Sequence, residues 1–271
     1  MKKIIYIAIL IFILGCVKEY DHQPNEDVPD IVIVEAVLTN ENIVQKIYLS
    51  KPFEYPNQEP EPLIGASIVV SNEDSDWILR EEVGNPGTFF LDSSFIASID
   101  KNYTLQIFYK DDLYSANAKM APGRYFSELV YKKNEDDDLY HIDFVASGFS
   151  PDFPAMWEVL VDWSNVPGYV GLPYDSTQAR MKFYSLPTLD VTEIFAPDVE
   201  KVSFPAGSII TQKRYSITED HAEYIRTLLL QTTWQGSLFP TANANVITNL
   251  SPGARGYFAV CAVTKLSLVV E

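Results

Sequence analysis

From residue 31 onward, short apolar runs alternate with clusters of turn formers, the pattern of half-buried strands joined by tight connections. Ile31-Val-Ile-Val-Glu-Ala-Val-Leu38 is β-branched and apolar and runs into Thr39-Asn40-Glu41-Asn42. Further strands are predicted at Gln45–Ser50, Ala66–Ser71, Asp76–Glu81, Thr88–Leu91, Tyr103–Tyr109 and Tyr114–Lys119. Asn72-Glu-Asp-Ser75, Gly84-Asn-Pro-Gly87 and Lys110-Asp-Asp112 supply the turns between them. Short strands at this spacing predict an immunoglobulin- or fibronectin-like β-sandwich over residues 31–121. The Pro-rich stretch Pro52–Pro62 interrupts the series and is expected to be extended and exposed, and Ala121-Pro122-Gly123 marks the expected boundary.

Residues 122–271 are less regular and predict a second β-rich domain. Leu139–Ala146 and Trp157–Trp163 alternate well enough to form strands, paired across the Gly148–Pro154 loop. Arg180–Tyr184, Lys201–Phe204 and Ser208–Lys213 are weaker strand candidates. One helix is predicted over about 218–235: Glu219 and Asp220 complement the dipole in its first turn, and Gly236 stops it. Ala222, Ile225, Leu228, Leu229 and Thr232 follow helical spacing on one face. Gly256–Val263 and Leu266–Val270 close the chain as final strands.

Composition agrees with a mainly β fold. The chain of 271 residues holds 16 Tyr, 15 Phe, 17 Pro and 12 Gly, which favours strands and turns over long helices. A formal net charge of −17 with no basic cluster disfavours nucleic acid as a partner, because such a surface repels phosphate. Only Cys16 and Cys261 are present. With Cys16 committed to a lipid, no disulfide framework forms, and Cys261 in Tyr257-Phe-Ala-Val-Cys-Ala-Val263 is expected to be a small buried hydrophobe.

The N-terminus carries the most specific signal. Lys2 and Lys3 precede the unbroken apolar stretch Ile4–Leu14, which is too short for the ~20 residues of a membrane-spanning helix but suits a signal peptide. It ends in Ile13-Leu14-Gly15-Cys16, which resembles a lipobox: Gly15 fits a small cleavage pocket and the Cys16 thiol takes the diacylglycerol. Residues 1–15 are thus expected to be a lipoprotein signal peptide and 16–30, polar and Pro-containing, a flexible tether. Lys18-Glu19-Tyr20-Asp21 resembles an acidic signal for export to the bacterial surface.

Catalytic chemistry is sparsely represented. His22, His141 and His221 show no metal-ligand spacing, and His221, in the first turn of the helix, is expected at the surface. No GxSxG elbow, P-loop or dinucleotide fingerprint occurs, so neither an enzyme nor a cofactor is predicted. Asn134-Glu-Asp-Asp-Asp138 reads as a solvated hairpin tip, with Asp136, Asp137 and Asp138 the alternative hard-cation ligands. Asp175-Ser176-Thr177 resembles a short O-glycosylation acceptor. Aromatics near Gly and Pro in the second half are either core residues, the favoured reading, or a contact surface made from Trp163, Tyr169, Tyr174 and Trp234, centred on the loop 165–174.

Several segments in order resemble a Bacteroidetes lipoprotein family defined by a domain of unknown function, DUF4249. They are Ile33–Asn40, Gln45–Ser50, Glu54–Pro62 with Gly65-Ala66, Pro86–Phe89, Tyr103–Leu105 and Gly256–Phe258. The resemblance implies an outer-membrane lipoprotein with an N-terminal immunoglobulin-like sandwich, commonly encoded beside a TonB-dependent β-barrel transporter. It carries over no catalytic or ligand-binding residue. Three functions follow as expectations: a lipid-anchored, non-enzymatic accessory of such a barrel; a free-standing surface binder of glycan, peptide or metal; and, less favoured, a hydrolase.

Overall fold

Val32–Thr39 (β1) buries alternate residues, Val32, Val34, Ala36 and Leu38, as a strand with one face on a core must. A computed structural model describes residues 31–53, 58–91, 95–99, 101–188, 201–233 and 246–271. The further strands are β2 Gln45–Ser50, β3 Ser67–Ser71, β4 Asp76–Ile78, β5 Arg80–Glu81, β6 Thr88–Leu91, β7 Asn102–Tyr109 and β8 Asp112–Lys119. They are followed by β9 Val130–Lys133, β10 Tyr140–Phe144, β11 Ala155–Asp162, β12 Gln178–Ser185, β13 Ile209–Ser216 and β14 Ala254–Val269. A helix, α1, spans Glu219–Gln231. The fold is mainly β, as the sequence predicts.

The strands form an eight-stranded sheet in the order β12-β11-β13-β14-β1-β2-β6-β5, a four-stranded sheet β4-β3-β7-β8 and the hairpin β9-β10. The four-stranded sheet packs on the β14-β1-β2-β6 half of the large sheet, enclosing Leu38, Ile47, Ile68, Phe89, Phe95 and Tyr103. Leu250, Ala254, Phe258, Val260 and Ala262 complete this sandwich core from the far side of Ala121–Gly123. A second core lies at the other end of the sheet, where Trp157, Val159 and Val161 of β11 meet Leu129, Val145 and Phe204. A third forms where α1 lays Ala222, Ile225 and Leu229 on the opposite face.

β14 explains how the two halves join. Phe258, Val260 and Ala262 face the sandwich while Tyr257, Ala259 and Cys261 face the helix, so this run is apolar on both sides. It pairs parallel with β1 and antiparallel with β13. Gly256, at φ +105°, lies against β1 so closely that a Cβ there would fall onto the Val34 carbonyl oxygen. The two closing strands expected at Gly256–Val263 and Leu266–Val270 are one continuous strand, because Thr264 and Lys265 keep its alternation without breaking it.

Other differences have local causes. Asp76–Glu81 is not one strand: the chain turns at buried Leu79, whose N–H donates to the Ile68 carbonyl, and passes from the four-stranded to the eight-stranded sheet. Tyr140–Phe144 pairs with the short β9, not with β11 across the 148–154 loop, and β11 pairs with β12 and β13. The candidate strand Lys201–Phe204 contributes only the bridge Phe204–Tyr140. Thr218 caps α1, accepting from the His221 N–H, and Leu228 is turned away from the helix–sheet contact. The predicted stop at Gly236, the signal peptide and tether, and residues 54–57 of the Pro-rich stretch lie outside the described residues. No helix among the described residues is long and apolar enough to cross a membrane.

Candidate functional site

Cys16 and Trp234 lie outside the described residues. Trp163, expected as a contact residue, is instead buried at the end of β11, where its indole N–H donates to the Ser176 carbonyl at 3.1 Å. Tyr169 packs half-buried on the second core, because successive turns Val166 N–H to Trp163 O and Tyr169 N–H to Val166 O fold the loop back on itself. Tyr174 is exposed in a short 3-10 turn, Tyr174–Ser176, near exposed Val170 and Leu172. The loop 165–174 therefore offers an apolar tip, not a cluster of aromatic rings.

The acidic run is occupied by its own hairpin. Asp138 pairs with Lys133 at 2.7 Å, which lowers its pKa, and Asp137 accepts from Asn134 Nδ2 and the Leu139 N–H. Among the described residues no group of three His, Cys, Asp or Glu is placed to hold a metal ion. His141 Nδ1 lies 2.6 Å from Asn134 Oδ1. His221 is buried rather than exposed, since the first turn of α1 faces β14: it stacks on Tyr257 at 4.8 Å, and burial lowers its pKa to about 4. The fully buried Cys261 sulfur is 3.9 Å from His221 Nδ1, and burial pushes its thiol up to about 12.

Two buried charges on neighbouring strands draw attention instead. Glu158 on β11 is 4% exposed. One carboxylate oxygen meets the Nε and Nη2 of Arg180 on β12, and the other accepts from the Tyr215 hydroxyl of β13 at 3.2 Å. Burial, and then that anion, raise the Tyr215 pKa well above its ordinary value. Lys213 and Glu41 pair at 2.9 Å beside them. These groups line a cavity of about 320 Å³ on the helix-bearing face of the sheet, and their charges cancel locally.

Arg214 points the other way. On β13, Ile210, Gln212, Arg214 and Ser216 alternate inward, so the guanidinium is carried to the face that holds Trp157. It is 5% exposed, donates to Ser216 Oγ and to the Phe153 carbonyl, and lies 5.6 Å from the Trp157 ring. A guanidinium has five N–H donors, so the rest have no acceptor among the described residues. Desolvation, and then the nearby Arg124, lower its pKa. Arg124 lies over Phe153, its Cζ 3.3 Å from the ring centroid. Neither arginine makes an ion pair among the described residues.

Arg124 and Arg214 line a cavity of about 530 Å³ with Phe126, Phe149, Phe153 and Trp157. Its walls are held in place. Ser150 N–H donates to the Leu186 carbonyl, Leu186 N–H to Gly148, and the Trp157 indole to Ser185 Oγ, which donates to the Ser147 carbonyl. On the other wall Thr264 Oγ donates to the Arg124 carbonyl. A smaller cavity of about 210 Å³, which Asp152 also lines, lies across the Arg124–Phe153 stack. The sequence alone does not show this site, because Gly148-Phe-Ser150-Pro reads as a turn and Arg214 lies just past the weak strand candidate Ser208–Lys213. The available signal was an arginine two residues from Gln212 and four from Ile210, on the apolar face of a period-two strand.

No curated protein matches the chain. A family model described as Domain of unknown function (DUF4249) matches residues 17–267, which is nearly the whole sequence. The chain belongs to the DUF4249 family.

Proposed function

We propose that this protein is a non-enzymatic binding lipoprotein, held at the outer membrane through Cys16, that serves as an accessory of a TonB-dependent transporter or related β-barrel machinery. The observation that carries the binding reading is the aromatic-walled cavity with two arginines that have no acidic partner among the described residues, in a chain of net charge −17. Such a cavity is built to receive something from outside the chain. The chemistry of the remaining candidates also favours binding over turnover. The Cys261 thiol is fully buried with its pKa near 12, His221 is buried and neutral, and His141 is engaged by an amide. Neither histidine of the described residues is hydrogen-bonded to a serine or a carboxylate, the arrangement a serine hydrolase needs.

The anchor and the location rest on the lipobox-like Ile13-Leu14-Gly15-Cys16 and the acidic residues after it. The exposed tip Val170, Leu172 and Tyr174 gives the protein an apolar patch suited to a protein partner. Affinity capture from cross-linked, detergent-solubilised outer membranes of the native host tests the reading. A β-barrel protein recovered with the wild type, and lost with Cys16→Ala, is the expected result. Recovery of no barrel partner from membranes that contain the lipidated protein contradicts the accessory role. A surface binder acting alone would then remain, and the occupant of the arginine cavity would be its whole function.

A further inference from the structure

We infer that the cavity between residues 123–126 and 146–153 is a carboxylate site, in which Arg124 and Arg214 clamp the carboxylate of a ligand whose aromatic body stacks on Phe149. This deepens the binding reading above and rests on it. The premise is electrostatic. A buried guanidinium without a counter-ion is costly, and the fold offsets that only in part, with two hydrogen bonds and the Trp157 ring. On the other face of the same sheet the chain does supply a partner for its buried charge, so the omission at Arg214 is not for want of acids. Bringing a second cation beside it raises the cost further, and an incoming anion removes the penalty at both.

The donor geometry selects the anion. Planar guanidinium forks match planar carboxylates with paired hydrogen bonds. Arg124 lies over the Phe153 ring, and Arg214 is tied to Phe153's carbonyl, so the two forks meet at one residue. The rings select the rest. Phe149 and Phe153 are about half exposed and Phe126 meets Trp157 edge-on at 5.2 Å, which leaves an aromatic slot beside the cations. A carboxylate on an aromatic residue satisfies both parts, either as a free acyl amino acid or as the C-terminus of a peptide.

Calorimetric titration of the full chain in low-salt buffer with N-acetylphenylalanine, and with a pentapeptide ending in phenylalanine, tests this directly. Each has its C-terminal amide as control. The carboxylates are expected to bind at least about tenfold more tightly than the amides, and to weaken as salt rises. A preference for the peptide identifies a protein terminus as the source, and equal binding identifies the free acid as sufficient; both support the site. Arg124→Gln, an exposed change that touches only the Phe153 ring, is expected to cost about tenfold in carboxylate affinity and to leave folding intact. Equal affinity for acid and amide, no binding of either by folded protein, or tight binding of benzyl phosphate with none of the carboxylates would overturn the proposal. Because no membrane partner enters the titration, its failure leaves the accessory role standing, and failed capture of a barrel leaves the carboxylate site standing.

Discussion

Glu158 and Arg214 sit on adjacent strands of one sheet, each about 95% buried, and the protein treats them in opposite ways. Glu158 meets Arg180 and Tyr215, so its charge is answered within the chain. Arg214 meets a hydroxyl, a carbonyl and an aromatic face, and the charge that adds to its desolvation is another arginine. A buried charge answered internally is part of the scaffold. One that is left unanswered, at the wall of an open cavity, is available to a ligand. Burial alone does not separate structure from function; the identity of the partner does.

The sharpest way to break the comparison is at the compensated site. Arg180→Met leaves Glu158 buried with only the Tyr215 hydroxyl, and is expected to cost about 3 kcal/mol in urea unfolding, at the low end for such pairs because Arg180 is itself largely exposed. A change below about 0.5 kcal/mol would mean that the pair is not part of the scaffold.

A smaller effect is expected at His221, a buried group that the fold keeps neutral. Its pKa is lowered from 6.5 to about 4 by burial, so the unfolded chain binds the proton first. The stability this provides is complete above about pH 6.5 and is lost as pH falls toward 4, amounting to about 2 kcal/mol by pH 5. His221→Phe, which can keep the stack on Tyr257, should flatten that part of the pH–stability curve. A variant whose urea midpoint falls as steeply as the wild type between pH 7 and 5 would show that His221 is not the group responsible.

Arg214→Met removes the other buried charge. Removing an unanswered buried charge is expected to change stability by no more than about 1 kcal/mol, because the relief of desolvation offsets the two lost hydrogen bonds. The smallest effect belongs to Tyr174→Ala, expected within about 0.5 kcal/mol of wild type in thermal unfolding, since the ring is exposed and reports only on partner contact.

Strands of the sandwich were legible because each buries one face against one core: β1, β2 and β7 alternate almost without fault. The short β9 was not, since Val130-Tyr-Lys-Lys133 buries little, and its pairing with β10 is a tertiary choice that no local pattern records. Nor does composition show that β14 completes a core begun more than two hundred residues earlier. His221 was misplaced because dipole and capping signals set where a helix starts but not which side of its first turn faces the sheet. Trp163 took the core alternative because an aromatic beside a Pro- and Gly-containing loop can close a core as readily as it can face solvent. The arginine site was illegible for a related reason. Arg124 and Arg214 are 90 positions apart in the chain, and their meeting over Phe153 depends on β13 lying beside β11.

Thermal unfolding of wild type and Arg214→Met, with and without millimolar N-acetylphenylalanine, tests the central claim in one experiment. The wild type should melt higher with the carboxylate and not with its amide, because a ligand that binds only the folded state stabilises it. The variant should melt close to the wild type without ligand and show no response to it. A variant that melts many degrees lower, together with a wild type indifferent to the carboxylate, would make Arg214 a structural clasp like Arg180 and would contradict the distinction between the two buried charges.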